Sequence, residues 1–267
     1  MSANLGFECF VTHHDNCQRV VRALAKGLRA PIYTLDPAEK TSIAAHVESK
    51  PQTVAVVYGI LRGASDVIAA CSRVGRPYLY IDHGYLCADK GYYRLVPNGF
   101  IHANLGTLDT ARLDALKIEF APWRVSKPDD PVLVVPPTKP WEQFLNLWYW
   151  ELETVRWLRD HCKRPVITSR KRDSRSTEFG AALPRAAALV TYISNTANDA
   201  LLAGVPAFNA GDDWSGGAVD FDNPPQTDRK ARMAFLANHQ WTVAEMEHGV
   251  PVQTLLADFD SPVEEAA

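Results

Sequence analysis

The segment 188–208 constrains the fold of this chain more than any other stretch. An apolar, β-type run at 189–193 meets a polar turn at 194–196, and a short helix-type run follows at 197–202. Gly204 then suits the left-handed position that ends many helices, and a second apolar strand comes directly after it. This order predicts a β-turn-α-turn-β unit whose helix N-terminus favours anions.

The same alternation of strand-like and helix-like patterns runs through the rest of the chain. Short apolar runs favour strands, and apolar residues at helical spacing favour helices between them. Because strands alternate with helices, the sheets should be mostly parallel, and the predicted class is α/β with two Rossmann-like, doubly wound domains. The expected strands are 7–12, 31–35, 53–58, 77–82, 131–135 and 165–169, and the expected helices of the first half are 17–27, 40–49 and 64–74.

One long amphipathic helix is expected at 144–162 in the second half. Trp148, Leu152 and Val155 recur there at the spacing of a single helix face, which predicts that this face is buried against the sheet.

Two segments of unusual composition suggest the domain organisation. Residues 121–131 are rich in Pro, Lys and Asp and predict a linker. Residues 212–228 are rich in Gly, Pro, Asp and Asn and predict a long loop, either a mobile rim over a cleft or a disordered connection. The expected domains are therefore 1–125 and 126–230, with closing helices in 231–267.

The run SNTANDALLAGVPAF at 194–208 resembles the donor-binding signature of glycosyltransferases with the two-Rossmann GT-B architecture. The resemblance implies two domains that face each other across a cleft, with a nucleotide-sugar on the second. It implies that Asp199 holds the ribose hydroxyls, at a position where the family more usually has Glu. It also implies that the terminal helices cross back onto the first domain. The tail ANHQWTVAEMEHG at 237–249 is similar to phage-encoded transferases, including those that glycosylate modified pyrimidines in DNA.

A basic run follows the expected strand 165–169. In an open α/β sheet, ligands bind outside the carboxyl ends of the strands, where Arg and Lys can satisfy the oxygens of a diphosphate. The alternatives are a solvated basic turn and, for the turn at 194–196, ordinary capping of the helix by side-chain oxygens. The predicted donor-binding residues are Arg170, Lys171, Arg172, Ser194, Asn195, Thr196 and Asp199.

Asp82 and His83 end an apolar strand of the first half, so they are expected at a carboxyl edge as well. An inverting transfer needs a general base that removes the proton of the acceptor hydroxyl. Asp82 is the first candidate for this base and His83 the second, and the GT-B resemblance implies that the base comes from the first domain. The alternative is an Asp-His pair that only caps a loop.

Aromatic and basic side chains are interleaved in the stretch after His83. Flat rings can stack on sugars or bases, and Arg can hold a phosphate. The predicted acceptor-binding residues are Tyr85, Tyr92, Tyr93 and Arg94. The alternative is an irregular surface hairpin with ordinary tyrosine packing. The pair His13-His14 follows the first strand and could line the cleft, but a histidine pair of this kind is more typical of a loop than of a metal site.

Composition narrows the class of function further. The 267 residues carry a net charge of −3, which gives no overall basic surface for nucleic acid. The five cysteines are scattered without a CxxC pair, which predicts neither a disulfide framework nor a structural zinc site. No GxGxxG, P-loop or GxSxG motif is present. With no signal peptide or long apolar run, the chain is expected to be cytoplasmic, or in the host cytoplasm if phage-encoded, without membrane insertion.

These patterns together predict a glycosyltransferase that moves a sugar from a nucleotide-sugar, here a UDP-sugar, to a hydroxyl acceptor. The transfer is expected to be inverting and independent of metal, with no cofactor besides the donor, because no DxD pair follows an evident strand end. The acceptor is either a hydroxymethylated pyrimidine in phage DNA or a surface polysaccharide. A sugar-nucleotide epimerase and a non-catalytic nucleotide-binding protein are the alternatives from other classes.

Overall fold

The computed structural model describes residues 5–102, 109–170, 177–209 and 219–260, which divide into two units. The first unit combines 1–102 with 236–267, and the second spans 103–235. The sequence placed the boundaries instead at 125/126 and 230/231. The expected linker belongs to the second unit, where the Ala121 amide donates to Leu202 O and the Arg124 amide to Gly204 O.

The first unit is built on a six-stranded sheet in the order β10-β5-β4-β3-β1-β2. Strands β1 to β4 are parallel, whereas β5 runs antiparallel to β4 and to β10. Its strands are β1 Phe7–Val11, β2 Ile32–Thr34, β3 Val54–Tyr58, β4 Tyr78–His83, β5 Tyr92–Pro97 and β10 Gln240–Thr242, and its helices include α1 Asp15–Leu28, α2 Lys40–Glu48, α3 Ala64–Val74, α10 Val243–Glu247 and α11 Val252–Asp260.

Burial explains why these segments form strands. All five residues of β1 are buried, and so are the first four of β3, as expected for parallel strands covered on both faces. Helix α1 buries one face, which includes Val20, Val21 and Leu24. Gly27 lets α1 approach the C-terminal segment closely, because a Cβ at Gly27 would lie 2.0 Å from the Met246 carbonyl oxygen.

The second unit contains a four-stranded, wholly parallel sheet in the order β7-β6-β8-β9. Its core includes Val132, Val190 and Leu158. Its strands are β6 Val132–Val135, β7 Val166–Thr168, β8 Ala188–Thr191 and β9 Ala207–Asn209, and the helices from 103 onward are α4 Ala111–Leu116, α5 Lys139–Phe144, α6 Trp150–His161, α7 Thr177–Ala182, α8 Thr196–Leu202 and α9 Arg229–Asn238, the last of which contains the second unit boundary.

The α/β class with two Rossmann-like units is confirmed, but two expectations within the second unit are wrong. The single helix at 144–162 is instead the two helices α5 and α6, separated at Asn146, whose φ of 57° is left-handed. Trp148 and Leu152, expected inside, are 57% and 67% exposed. The buried face is set by Thr154 and Leu158, which pack toward β6 and β7.

The loop expected at 212–228 is ordered where it can be described. Residues 210–218 lie outside the described part of the chain, but Phe221 is 1% exposed and joins the core of the second unit. The Arg164 guanidinium donates to the carbonyl oxygens of Phe221 and Asp222. A hydrophobic anchor and these hydrogen bonds hold residues 219–223 in place despite their loop-like composition.

In the described ranges, no helix combines the length and apolar character needed to span a bilayer.

Candidate functional site

The strand order of the second unit creates a switch point between β6 and β8. Strand β7 lies on one side of β6, and β8, the next strand in the chain, lies on the other side of β6. In open α/β sheets, ligands bind beyond the carboxyl ends of the two strands at such a point. A hydrogen bond joins the carboxyl ends of β6 and β8, because Thr191 Oγ1 donates to Val135 O at 2.7 Å. The turn singled out from the sequence therefore lies at the predicted binding edge.

The backbone of this turn adopts an unusual conformation at Ile193. The sequence predicted that Ile193 belongs to the strand, but β8 ends at Thr191 and Ile193 has a φ of +48°. A β-branched residue is rarely left-handed, and such a conformation costs roughly 1–3 kcal/mol. It is held by the Ile193 amide, which donates to Asn209 Oδ1 at the end of β9, at 2.7 Å. Strain of this kind is concentrated at binding and catalytic sites.

The side-chain cap considered as the alternative for this turn is not formed at the N-cap position of α8. The N-cap residue Asn195 has helical backbone angles, and its side chain makes no capping hydrogen bond. Ser194 Oγ instead accepts weakly from the Thr196 amide at 3.3 Å and from Thr196 Oγ1 at 3.0 Å. Asp199 is exposed in the first turn of α8. The four predicted residues are thus brought together, with Thr196 buried and Asp199 facing solvent.

Arg170, just beyond β7, is paired with two acidic residues rather than left free. Its guanidinium contacts the carboxylates of Glu142 on α5 and Glu151 on α6. Beside it, Ser169 is buried, and its Oγ finds no hydrogen-bond partner within the described part of the chain. Lys171 and Arg172, the other cations of this run, lie outside the described residues. Any anion that uses Arg170 has to compete with the two carboxylates.

The first unit has a second switch point, between β1 and β3. Residues Thr12, His13 and His14 follow β1, and Gly59 follows β3 with a left-handed φ of 63°. The Thr12 side chain accepts from the His14 amide at 3.3 Å. His14 Nδ1 is buried and has no hydrogen-bond partner in the ranges that can be described. The sequence alone predicts only a loop feature for this histidine pair, because the strand order that places it at a switch point is not visible in a single sequence.

The remaining first-unit candidates meet across the antiparallel strands β4 and β5. The register places Asp82 opposite Arg94 and His83 opposite Tyr93. Asp82 accepts from Arg94 Nη2 at 3.1 Å, Tyr80 Oη at 2.8 Å and the His83 amide at 2.8 Å. The predicted base and part of the predicted acceptor site therefore form one polar group.

Charge is concentrated around Asp82 in a largely buried setting. The Arg94 side chain is only 4% exposed, whereas that of Asp82 is 26% exposed. Burial opposes the charge on Arg94, but Asp82, Tyr85 and Tyr80 outweigh it, and the pKa of Arg94 is raised. Burial first, and then the Asp82 charge, raise the pKa values of Tyr58 and Tyr80 above their ordinary range. Both phenols therefore stay protonated, and Asp82 is the anion that balances Arg94.

The predicted acceptor residues do not share one exposed platform. Tyr93 is buried, with its hydroxyl accepting from Arg19 Nη2 at 2.6 Å and its ring stacked 5.8 Å from that of His83. Tyr85 is also buried and bonds to His102, whereas Tyr92 is only partly buried. The irregular surface hairpin considered as an alternative is wrong, because β5 is an interior strand of the sheet.

Comparisons with known proteins give similarity to solved structures only. No family model and no curated protein matches the chain. KpsC from Thermosulfurimonas dismutans, described as a beta Kdo 2,7 transferase, matches with a TM-score of 0.48 and 13% identity, over 92% of this chain and 99% of that one. A beta Kdo 2,4 transferase KpsC structure from the same organism matches with a TM-score of 0.42 and 12% identity, over 87% and 91%. The fold class given above stands on the strands and helices of this chain itself.

Proposed function

We propose that this protein is a glycosyltransferase that moves a sugar from a nucleotide-sugar to a hydroxyl acceptor. The observation that carries the proposal is the position of the Ser194-Asn195-Thr196 turn at the β6/β8 switch point, next to the strained Ile193. This is the edge at which nucleotides bind in doubly wound sheets. The donor is proposed to be a UDP-sugar.

The donor diphosphate is assigned to the polar groups beyond β7 and β8. Ser169 Oγ and Ser194 Oγ are hydroxyl groups at these two strand ends, and Arg170 is the described cation beside them. Charge develops on the diphosphate as the sugar leaves, so fixed donors and cations at this place stabilise the transition state. Transfer is proposed to be inverting and metal-independent, with Asp199 on the ribose.

The acceptor is assigned to the first unit, with Asp82 as the general base and His83 as the second candidate. Asp82 is the more exposed member of its ion pair with Arg94, so one of its oxygens can be reached by an incoming hydroxyl. A modified DNA pyrimidine and a surface polysaccharide are the two acceptor classes to be assayed. We place the reaction in the cytoplasm because all five cysteines are free thiols, as expected in a reducing compartment.

A thermal-unfolding screen with UDP, GDP, CMP and ADP tests the donor site. A nucleotide at about 100 times its dissociation constant adds about 2.7 kcal/mol to the free energy of unfolding, so UDP should raise the melting temperature. Arg170→Ala should weaken that binding, because a charge-assisted hydrogen bond contributes about 1.5–3 kcal/mol. Arg156→Ala, which removes an exposed cation of α6, is the matched control and should bind as the wild type does.

The same screen, together with an assay of the nucleotide-sugar incubated with the protein alone, separates the proposal from its alternatives. If no nucleotide changes the melting temperature at millimolar concentration, the donor site is not where we place it. Slow hydrolysis of the nucleotide-sugar in water supports a transferase. Conversion of the donor sugar to another sugar with no acceptor present would identify an epimerase, and binding with neither reaction would identify a non-catalytic protein.

A further inference from the structure

Three side chains of types that can bind metal, from distant parts of the chain, meet in the first unit. His102 follows β5, His239 directly precedes β10, and Asp258 lies on α11. One ligand atom from each side chain lies within 4.8 Å of the other two. None of the three belongs to the proposed donor or acceptor residues, so the cluster needs an explanation of its own.

The fold holds this cluster together by ordinary pairing and packing. The Leu95 amide of β5 donates to His239 O at 3.4 Å, which places His239 against the middle of β5. Leu255 is fully buried one helical turn before Asp258, so the inward face of α11 presents the Asp258 carboxylate to the cluster. The His102 and His239 ring centroids are 4.4 Å apart, and His239 Nε2 lies 3.7 Å from Asp258 Oδ1.

The orientation of the His102 ring is fixed by hydrogen bonds to Tyr85. His102 Nδ1 is joined to Tyr85 Oη by a hydrogen bond of 3.0 Å, and Tyr85 Oη accepts from the His102 amide at 2.9 Å. With Nδ1 engaged, Nε2 is the nitrogen that His102 offers to an ion. Metal-bound histidines typically have such a hydrogen bond to the second ring nitrogen, which fixes the ring and its tautomer.

A second observation in favour of a bound cation comes from the carboxylate of Asp258. Asp258 Oδ2 is shielded from solvent and has no hydrogen-bond partner among the residues that the structure describes. An unsatisfied buried carboxylate oxygen is costly, and a cation in the cluster would satisfy it. Arg94, a buried cation of β5, is already neutralised by Asp82 at 3.1 Å.

We propose that His102, His239 and Asp258 bind a divalent transition-metal ion, with Zn²⁺ as the reference ion. Two imidazoles and one carboxylate suit Zn²⁺, whereas Mg²⁺ and Ca²⁺ prefer oxygen ligands. With bonds of about 2.0–2.1 Å, the side chains have to move inward by about 1 Å through small rotations. The ion joins α11 and the residue before β10 to the segment after β5. This proposal does not depend on the glycosyltransferase function.

Metal content and metal-dependent unfolding of the full chain test the site. After treatment with EDTA and its removal, we expect the wild type to bind one Zn²⁺ per chain, measured by elemental analysis after dialysis. At a hundredfold excess over the dissociation constant, Zn²⁺ should raise the melting temperature by roughly 5 °C or more. Co²⁺ should give the visible absorption bands of a site with nitrogen and oxygen ligands.

Variants decide whether the ion is bound at this cluster. Asp258→Asn and His239→Gln should each weaken Zn²⁺ binding at least tenfold. His248→Gln, which changes an exposed histidine of the same C-terminal segment, should leave it unchanged. Should His239→Gln fail to fold, Asp258→Asn and the Co²⁺ spectrum of the wild type still decide the matter. Absence of saturable Zn²⁺ binding in the wild type, or unchanged affinity in Asp258→Asn, overturns the proposal.

Discussion

At the scale of single residues, buried charges shape the first unit in two places. Glu8 in β1 accepts from Arg76 at 2.8 Å and from Lys50 at 2.5 Å, and the Arg76 side chain is fully buried. Asp82 balances Arg94 at the opposite end of the strands. Removing one partner of such a pair leaves an uncompensated charge, which costs more than the pair itself contributes.

Asp82→Asn should reduce transfer by about 10²–10⁴-fold, the usual effect of losing a general base. Donor affinity should change little, because the donor is assigned to the second unit. The substitution also leaves the buried Arg94 without its carboxylate partner, which lowers the stability of the fold. The kcat and the donor Kd therefore have to be measured under conditions in which unfolding curves show that the variant is folded. His83→Gln is the companion variant. An inactive His83→Gln with an active Asp82→Asn would exchange the two roles, and full activity in both would place the base elsewhere.

Arg76→Met should lower the free energy of unfolding by about 3–5 kcal/mol, because Glu8 loses a buried partner. Arg76 also donates to Thr53 O and Val47 O, which would lose those hydrogen bonds. Arg73→Met is the matched control, since Arg73 pairs with Glu48 on an exposed surface, where an ion pair contributes about 1 kcal/mol or less. Urea unfolding of both variants measures the difference, and equal losses would contradict this account.

The Glu8 network also predicts a dependence on acid. Burial alone would raise the pKa of Glu8, but the hydrogen bonds and charges of Lys50 and Arg76 outweigh it, and the pKa is lowered from its ordinary value of 4.5. The stabilisation is therefore present above pH 4.5 and is lost as the pH falls through the lower folded-state value. We expect the stability difference between the wild type and Glu8→Gln to shrink below pH 4.5. A constant difference between pH 6 and pH 3 in urea titrations would show that Glu8 is not the titrating group.

At the scale of elements, two close backbone contacts depend on glycine. Gly27 lies in α1 against the Met246 carbonyl oxygen, and a Cβ there would come within 2.0 Å of it. Gly204, with a φ of +77°, ends α8 in the same way against the Pro122 carbonyl oxygen. The sequence predicted the helix-ending role of Gly204, but it gave no sign of Gly27, because the partner of α1 lies more than two hundred residues away in the chain.

Gly27→Ala should destabilise the protein by about 1–3 kcal/mol, the usual cost of overpacking, because backbone atoms have to move apart. Gly180→Ala is the control. Gly180 is also helical, in α7, and has open space around its Cβ position, so this change should be neutral or stabilise by up to about 1 kcal/mol. Thermal unfolding of both variants compares the two, and a stable Gly27→Ala would mean that the contact is loose.

Elements with continuous apolar runs could be predicted from the sequence, and those defined by distant pairing could not. Strands β1, β3 and β8 are buried, and their continuous apolar residues identify them from the local sequence. Strand β5 carries Arg94, and β10 has three residues, so only their mutual pairing identifies them.

The candidate sites also divide into those that the local sequence predicts and those that depend on distant pairing. The turn at 194–196 is local, whereas the meeting of Asp82 with Arg94 depends on register, and that of His102, His239 and Asp258 on three separate segments.

At the scale of the whole molecule, the second unit is inserted in the chain of the first. Residues 103–235 are contiguous, whereas the first unit needs both 1–102 and the segment from 236 onward. The buried Trp241 of β10 belongs to the core of the first unit, and the buried Phe221 to that of the second. Each core can therefore be perturbed separately.

Trp241→Ala should lower hydrogen-exchange protection in β1, β3 and β4 more than in β6 and β8. Removal of a buried Trp or Phe side chain costs about 3–5 kcal/mol, and local stability follows cooperative units of the structure. Phe221→Ala should give the opposite pattern. Hydrogen exchange measured by mass spectrometry on peptides from these five strands distinguishes the two patterns. A uniform loss of protection in both variants would show a single cooperative unit.

The inserted arrangement has a consequence for how the protein is made. A ribosome that has synthesised β1 to β5 must add 103–235 before β10 appears, which takes on the order of ten seconds. During that time β5 is an open sheet edge on the nascent chain, and such edges pair readily with other strands. The inserted sheet, complete in one stretch, is free to form first. In this protein the half that is translated first is the half that finishes folding last.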